Sequence, residues 1–258
     1  MLRFRSLGSG STGNATVVEA ADGSRRSRLL VDCGLGIRQL QERLARADLV
    51  PEQIDAVFIT HEHADHIGCA RTLALRHRIP VWMSQGTHLA LGAPDFDGLL
   101  RIARDATPFA VGALEVAPFT VPHDAREPLQ LCLGDGARRL GILTDLGHAS
   151  PHVLQQLAGC ATLLLECNHD PDLLAASSYP PFLKQRVGGR FGHLANAAAA
   201  QIAQALCASG LQRVVAAHLS EQNNRPALVQ AVLAQALGCA PEEIGVADPL
   251  AGTGWVAA

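Results

Sequence analysis

Short apolar runs, separated by segments of helical spacing, make up most of this chain. Strands are predicted at 2–7, 15–20, 28–31, 55–59, 81–83, 114–121, 129–133, 140–143, 161–166 and 213–217. Helices are predicted at 37–45, 67–78, 151–158, 195–208 and 226–236. Because each half contains strands and then helices, the pattern predicts an α/β (α+β) fold with two stacked mixed sheets, helices outside, and two similar halves.

The predicted strand at 55–59 leads directly into the sequence THEHADH, which is dense in metal-ligand side chains. Imidazole nitrogens and carboxylate oxygens bind borderline divalent metals such as zinc. In an extended loop His61 and His63 point the same way and can share one ion, and Asp65 and His66 can serve a second ion after a bend. A solvated turn rich in histidine is the alternative, but four such side chains directly after a buried strand disfavour it.

Three more ligand-type residues each follow an apolar strand. His123 follows the predicted strand 114–121, Asp145 follows 140–143, and His218 follows 213–217. Any one of them alone could equally be a capping or surface residue. Together with the first cluster, they predict a site for two metal ions.

The first cluster has the form H-x-H-x-D-H and resembles the signature of the metallo-β-lactamase superfold. Proteins of this superfold are hydrolases that hold one or two metals at the edge of an αββα sandwich. The resemblance implies a four-layer sandwich and seven ligands: His61, His63 and His123 for one ion, Asp65, His66 and His218 for the other, and Asp145 bridging both. We expect zinc, with manganese or iron as alternatives. Asp32, which ends its strand beside the site, is expected to orient a metal-bound histidine.

Several segments outside the ligands resemble one branch of this superfold, the YycJ/WalJ-type metallo-hydrolases, which are associated with 5′-to-3′ exonuclease action on DNA. These segments are 9–14, 31–34, 166–170, 192–196 and 218–224. The chain departs from that branch at Ala195, where serine is favoured, and at Leu146, where a small polar residue is favoured. The resemblance implies a phosphodiesterase acting on nucleic acid, in which a metal-bridging hydroxide attacks phosphorus and Asp65, Asp145 and His193 take part in catalysis.

Candidate substrate contacts lie in two polar segments. The Gly/Ser loop 8–14 suits phosphate oxygens, although a plain tight turn explains it equally well. His193 opens an alanine-rich helix, where it could protonate a leaving oxygen or simply neighbour the helix cap. The candidate substrate contacts are Ser9, Ser11, Asn14, His193 and Asn196, with Arg186 and Arg190 as further candidates for phosphate.

Two other functions are compatible with this ligand set. A thioester or ester hydrolase resembling glyoxalase II would use the same two-metal site on a different electrophile. A nucleic-acid-binding or regulatory protein with structural metals is the other alternative. Structural zinc sites are usually closed by four protein ligands, which disfavours the second alternative.

Length, net charge and cysteine content limit the possible domain organisation, binding partners and cellular location. We interpret 1–258 as a single domain, because no linker is evident. The stretch of sequence between Asp145 and His218 is also too short to contain the inserted domain of β-CASP nucleases. The net charge of −3 means that nucleic-acid binding would need a local basic patch. Seven cysteines without C-x-x-C spacing suggest buried thiols in a reducing compartment. No signal peptide or membrane-spanning run is apparent, so we expect a cytoplasmic protein; the pattern does not predict the oligomeric state.

Overall fold

The computed structural model describes residues 1–258 as two mixed β-sheets packed against each other, with α-helices on both outer faces. The strands are β1 Leu2–Gly8, β2 Ala15–Asp22, β3 Arg25–Val31, β4 Ala56–Phe58, β5 Val81–Ser84, β6 Leu100–Ala103, β7 Phe109–Val111, β8 Leu114–Thr120, β9 Leu129–Gly134, β10 Arg139–Leu143, β11 Thr162–Glu166, β12 Arg213–Ala217, β13 Gly245–Val246 and β14 Val256–Ala257. The α-helices are α1 Ile37–Ala45, α2 Ala64–Ile67, α3 Ala70–His77, α4 Gln85–Ala90, α5 Pro151–Leu157, α6 Pro171–Ala176, α7 Pro181–Val187, α8 Asn196–Cys207 and α9 Pro226–Leu237. Single 3₁₀ turns, Pro51–Gln53 and Pro241–Glu243, precede β4 and β13. None of the helices combines the length and apolarity needed to cross a lipid bilayer.

Both sheets have seven strands and the same succession of strand pairings. The first has the order β14-β1-β2-β3-β4-β5-β6, and the second has the order β7-β8-β9-β10-β11-β12-β13. In each order the first three pairs are antiparallel and the last three are parallel. Strand β14 takes the edge position in the first sheet that β7 takes in the second. The two halves are therefore similar in topology, as the sequence pattern predicted.

Three apolar clusters separate the four layers of the fold. The central cluster lies between the sheets and contains Phe4 and Phe58 from the first sheet with Leu131 and Leu164 from the second. Another cluster joins the outer face of the second sheet to α5, α8 and α9. The third joins the outer face of the first sheet to α1 and α3. Alternate strand residues thus face either the central cluster or an outer one, which confirms the predicted αββα sandwich.

The predicted elements are present with few differences, and the differences have local causes. The helix 37–45 and the strand 213–217 have the predicted bounds. The predicted helix 67–78 is interrupted at Gly68, where φ is 31° and a Cβ atom would lie 2.3 Å from the carbonyl oxygen of Cys33. The chain turns there and forms α2 and α3 separately. Helices α4, α6 and α7 and the short strands β6, β7, β13 and β14 were not predicted. Helix α7 buries none of its residues and so shows no apolar spacing.

A buried acidic residue crosslinks the antiparallel part of the first sheet. Glu19 in β2 is 1% exposed, and its direct cross-strand neighbours are Arg3 in β1 and Arg28 in β3. Its carboxylate accepts hydrogen bonds from Arg3 (2.8 Å), Arg26 (2.6 Å) and Arg28 (2.8 Å). Burial alone would raise the pKa of Glu19, but these arginines outweigh it and hold the pKa below its usual value of 4.5. Opposite charges across adjacent strands therefore stabilise the register of three strands.

Candidate metal centre

The predicted ligands come together at one edge of the sandwich, in loops that follow strands of both sheets. Four of these side chains follow β4, namely His61, His63, Asp65 and His66. His123 follows β8, Asp145 follows β10, and His218 follows β12. The carboxyl ends of the parallel strands β4, β10 and β12 open onto this edge, which is where open α/β sheets place functional loops. Residues up to 157 positions apart in sequence, His61 and His218, thereby share one site.

One group of donors consists of three histidines. The donor nitrogens of His61, His63 and His123 lie within 4.8 Å of one another. Nδ1 of His61 lies 3.0 Å from the hydroxyl of Thr60, and Nδ1 of His123 lies 3.1 Å from the carbonyl oxygen of Gly192. These contacts leave Nε2 of both rings free to face the shared space. The group contains the same three residues that the sequence assigned to one ion.

A second group consists of Asp65, His66 and His218. One carboxylate oxygen of Asp65 lies 3.5 Å from Nε2 of both histidines. Nδ1 of His66 lies 2.8 Å from Asp32, and Nδ1 of His218 lies 3.1 Å from Glu166. Each carboxylate accepts the Nδ1 proton and thereby fixes the ring with Nε2 directed at Asp65. Asp32 thus lies where the sequence placed it.

Asp145 lies between the two groups. Its carboxylate is 2.9 Å from Nε2 of His66 and 3.3 Å from Nδ1 of His218. Asp32 directly follows the fourth strand of its sheet's order and Asp145 follows the fourth strand of the other after one residue, and both have left-handed backbone angles, with φ of 60° and 52°. They contact opposite nitrogens of the same His66 ring. Equivalent positions of the two halves therefore hold one imidazole from both sides.

Two observations show that this donor set suits divalent cations. Nε2 of His61 and Nε2 of His218 are buried without a hydrogen-bond partner, which is costly unless another group satisfies them. The four buried or half-buried carboxylates carry four negative charges, which equals the charge of two divalent cations: Asp32, Asp65, Asp145 and Glu166. A mixture of imidazole and carboxylate donors is the chemistry that zinc, manganese and iron accept.

The charges inside the site strongly influence one another. Burial alone would lower the pKa of His218, but neighbouring carboxylates, chiefly Asp145, raise it to about 10. Burial would raise the pKa of Asp145, but His218 and His66 hold it well below its usual range. In His61, burial and the neighbouring His66 both lower the pKa well below its usual value. A cation entering the site must therefore displace protons from some imidazoles.

Glu166 is a functional residue that the sequence reasoning did not single out. It is fully buried at the end of β11, and Oε1 lies 2.7 Å from Nδ1 of His193 and 3.1 Å from Nδ1 of His218. Its other oxygen accepts hydrogen bonds from the backbone N–H groups of Leu146 and Leu194. Burial lowers the pKa of His193, but Glu166 more than reverses this and raises it. An acidic residue that ends a buried strand, as Asp32 does in β3, is the sequence signal that could have found Glu166.

A cavity of about 330 Å³ opens beside these groups. Its lining includes Ser11, Asp65, Asp145, Arg186 and His193. The guanidinium of Arg186 donates a hydrogen bond of 2.6 Å to Asp124 at the rim of the cavity. Of the predicted substrate contacts, Ser11 and His193 therefore face the cavity, as does the candidate phosphate ligand Arg186, whereas Arg190 is not part of the lining.

The other predicted substrate contacts, Ser9, Asn14 and Asn196, are buried and hydrogen-bonded within the protein. The hydroxyl of Ser9 accepts from the backbone N–H of His218 at 2.8 Å. The amide of Asn14 bonds Gly10 and Asp65, which ties the Gly/Ser loop to the loop after β4. The amides of Asn196 and Asn224 bond each other in both directions. These polar side chains hold the loops in place, and their burial disfavours direct contact with substrate, which stays a prediction.

Comparison with known proteins agrees with this geometry. A family model described as a β-lactamase superfamily domain matches residues 27–219, most of the chain. The chain belongs to the metallo-β-lactamase superfamily. The computed fold resembles the crystal structure of the metallo-β-lactamase fold protein YhfI from Bacillus subtilis, with a TM-score of 0.76, 16% identity and 99% of both chains covered. At that identity the likeness shows the fold alone.

Sequence relatives place this metallo-β-lactamase superfamily member more narrowly. It is 32% identical over 241 residues to Exodeoxyribonuclease YycJ of Bacillus anthracis, which covers 92% of the chain and 89% of the relative. It is 29% identical over 249 residues to Exodeoxyribonuclease WalJ of Streptococcus pneumoniae, which covers 95% of the chain and 91% of the relative. The predicted resemblance to the YycJ/WalJ-type proteins is confirmed, and the chain is a metal-dependent hydrolase of this superfamily.

Proposed function

We propose that this hydrolase is a two-metal phosphodiesterase that removes nucleotides from the 5′ end of a nucleic acid. The observation that carries the proposal is the juxtaposition of two donor triads, joined by Asp145, with His193 in the same open cavity. The names of the relatives, both exodeoxyribonucleases, favour DNA as the substrate.

In this proposal the seven predicted ligands would hold two ions, His61, His63 and His123 for one and Asp65, His66 and His218 for the other, with Asp145 available to both. Five imidazoles and two carboxylates favour zinc, while manganese and iron accept the same donors. When bound, such ions lower the pKa of water and stabilise negative charge on phosphoryl oxygens. Asp32 and Glu166 hold the second triad in position, because each fixes the tautomer of one histidine.

We assign His193 the role of moving a proton at the leaving oxygen. Glu166 accepts the Nδ1 proton at 2.7 Å, which leaves Nε2 on the opposite side of the ring for the substrate. The ring is 22% exposed and lines the cavity, so a phosphate next to the ligands can reach it. A positioned acid of this kind contributes typically about 10²–10⁴-fold to the rate.

Arg186 and Ser11 provide the polar contacts that a phosphodiester would need. Arg186 lines the cavity with one guanidinium nitrogen bound to Asp124, and its remaining N–H groups can donate to phosphate oxygens. Ser11 lies in the Gly/Ser loop on the cavity wall. Since the net charge of the chain is −3, we expect binding through a few phosphates and a modest dependence on salt.

The test is a metal-supplemented assay with 5′-phosphorylated DNA and RNA of one sequence, each labelled at either end, beside a lactoylglutathione thioester. A 5′ exonuclease releases a 5′ label at once as a mononucleotide, and it converts a 3′-labelled strand into progressively shorter products. The His63→Ala variant controls for contaminating nucleases. Turnover of the thioester with intact DNA and RNA would overturn the proposal in favour of a hydrolase resembling glyoxalase II.

A further inference from the structure

Two phenylalanine side chains close to the cavity of the proposed active site are exposed to solvent. The chain has seven phenylalanines, and only Phe182 and Phe191 are largely exposed, at 71% and 57%. Phe182 lies in α7, beside the cavity-lining residue Leu183, and Phe191 directly precedes Gly192, which also lines the cavity. Exposed aromatic rings confined to one segment of a surface are typical of a binding site.

The backbone fixes this segment to the proposed metal centre. The N–H of His193 donates to the carbonyl oxygen of Val187 at the end of α7 (2.8 Å). The carbonyl oxygen of Phe191 accepts from the N–H of Asp124 (2.9 Å), and that of Gly192 lies 3.1 Å from Nδ1 of His123. The backbone of Phe191 is therefore held next to His123 and His193, and Phe182 is joined to the same segment through helix α7.

The same segment is locally basic in a chain whose net charge is negative. Residues 173–193 contain Lys184, Arg186 and Arg190 and no aspartate or glutamate, whereas the whole chain has a net charge of −3. Alternation of aromatic rings with cations is the composition of surfaces that track a single nucleic-acid strand, in which rings stack on bases and cations contact phosphates. An apolar protein partner would have no need of these charges.

We propose that Phe182 and Phe191 form a stacking platform for unpaired bases at the 5′ end of a nucleic-acid strand, with Arg186 contacting the phosphate between them and the metal centre. The inference rests on the proposed function and specifies its substrate further. Inside a duplex both faces of a base are covered by its neighbours, and two rings can stack on two successive bases only when those bases are splayed apart, so the substrate end is single-stranded or frayed. Phe182 and Phe191 are positioning residues, because they hold the strand and leave the reacting atoms to the ligands and His193.

The first experiment removes either the two phenylalanine rings of the protein or the first two bases of the strand. Cleavage is compared for a normal strand and for one whose first two 5′ nucleotides are abasic tetrahydrofuran residues, which retain the phosphates. The wild type should cleave the abasic-ended strand with a kcat/KM lower by roughly 25- to 10⁴-fold, because loss of stacking costs about 5- to 150-fold for each of the two bases. The Phe182→Ala/Phe191→Ala variant should show a similar loss on the normal strand and no longer distinguish the two strands.

Matched control variants distinguish loss of stacking from a general loss of structure or activity. Val50→Ala removes an exposed apolar side chain (51% exposed) just before the 3₁₀ turn that leads into β4, at the end of the sandwich opposite the cavity, and should behave as wild type. Phe182→Trp/Phe191→Trp retains a π-face and should keep the discrimination. Phe182→Leu/Phe191→Leu retains apolar bulk alone and should lose it.

Equilibrium binding gives a readout independent of turnover. The metal-loaded proteins are titrated against a 3′-fluorescein single strand with phosphorothioate terminal linkages, and anisotropy reports binding. The Ala variant should bind roughly 25- to 10⁴-fold more weakly than Val50→Ala, about 5- to 150-fold for each ring lost, for DNA and RNA alike, because every base has a π-face.

The possible failures point to different steps of the reasoning. If the wild type cleaves no strand, the proposed function fails. If the wild type cleaves and the Ala variant matches Val50→Ala on both strands, the platform alone is overturned. A change of oligomeric state in gel filtration without a change in discrimination would also overturn it, because the rings would then belong to a protein interface.

Discussion

Glu166 offers the sharpest test of how the site is organised. Its Oε1 makes the shorter contacts, relative to those of Asp145, both to a proposed ligand, His218 (3.1 Å), and to the proposed proton donor, His193 (2.7 Å). Its second oxygen accepts two backbone N–H groups. In Glu166→Gln one oxygen becomes an NH₂ group, which cannot accept a hydrogen bond, so at least one of these donors loses its partner while the shape is kept.

The size of the effect follows from these contacts. A hydrogen bond to a charged group contributes about 1.5–3 kcal/mol, which corresponds to roughly 10- to 150-fold in an equilibrium or rate. Loss of the partner that orients a metal-bound histidine typically costs about 10–100-fold in metal affinity or activity. We expect Glu166→Gln to weaken binding of one ion by about 10–100-fold, and to lower kcat by a similar factor even when metal is saturating, because His193 is no longer oriented.

Asp32→Asn is the matched control. Asp32 orients His66 of the same triad at 2.8 Å but makes no contact with His193. Its φ of 60° is a conformation that asparagine tolerates well. This variant should weaken metal binding like Glu166→Gln yet regain wild-type kcat at saturating metal. Competition with a chelating dye measures affinity, and steady-state cleavage at saturating zinc measures kcat; equal kcat values for the two variants would refute the role assigned to Glu166.

Three further predictions address the ligands, the proton donor and the sheet. His63→Ala removes a donor that is 27% exposed, so it should lose metal and nearly all hydrolysis while circular dichroism stays unchanged; fewer than one ion per wild-type chain by elemental analysis, after metal-replete expression, would contradict the ligand assignment. His193→Ala should lower kcat by about 10²–10⁴-fold and keep both ions, and normal turnover would reduce His193 to a structural role. Because the pKa of Glu19 is lowered in the folded chain, its contribution is complete above its unfolded value of 4.5 and is lost as pH falls through the folded value. Glu19→Gln should therefore cost roughly 1–3 kcal/mol of unfolding free energy at pH 7, measured by urea denaturation, and progressively less as the pH falls below 4.5; a cost that stays the same as the pH is lowered would exclude the ion pairs as its origin.

The local part of the site could be predicted because it lies in one short loop after a recognisable strand. The residues from His61 to His66 needed no tertiary information to stand out. His123, Asp145 and His218 could be found because each follows a strand, and loops at strand ends meet at one edge. Their assembly into two triads still depended on the family resemblance, since spacing does not state which distant loops meet.

The sequence leaves a residue's role open where burial, rather than residue type, decides that role. Asn14 and Asn196 are polar residues in polar segments, and both were expected to contact substrate. Their amides instead satisfy buried backbone and side-chain groups, which sequence alone cannot distinguish from exposure to a ligand. Glu166 escaped notice for the same reason, because its importance comes from four contacts that only folding creates. Helix α7 was missed because a helix that buries nothing has no periodic signal.

The proposed metal donors come from both sheets, which has a consequence for how the protein unfolds. Each proposed ion would take two donors from the segment after β4 and the others from the opposite sheet, namely the shared Asp145 together with His123 for one ion and with His218 for the other. Bound ions would then act as crosslinks that restrict separation of the sheets at this edge, and they would add to the free energy of unfolding as their free concentration rises. Removal of the ions by a chelator would therefore lower the free energy of unfolding and make the two sheets easier to separate at this edge.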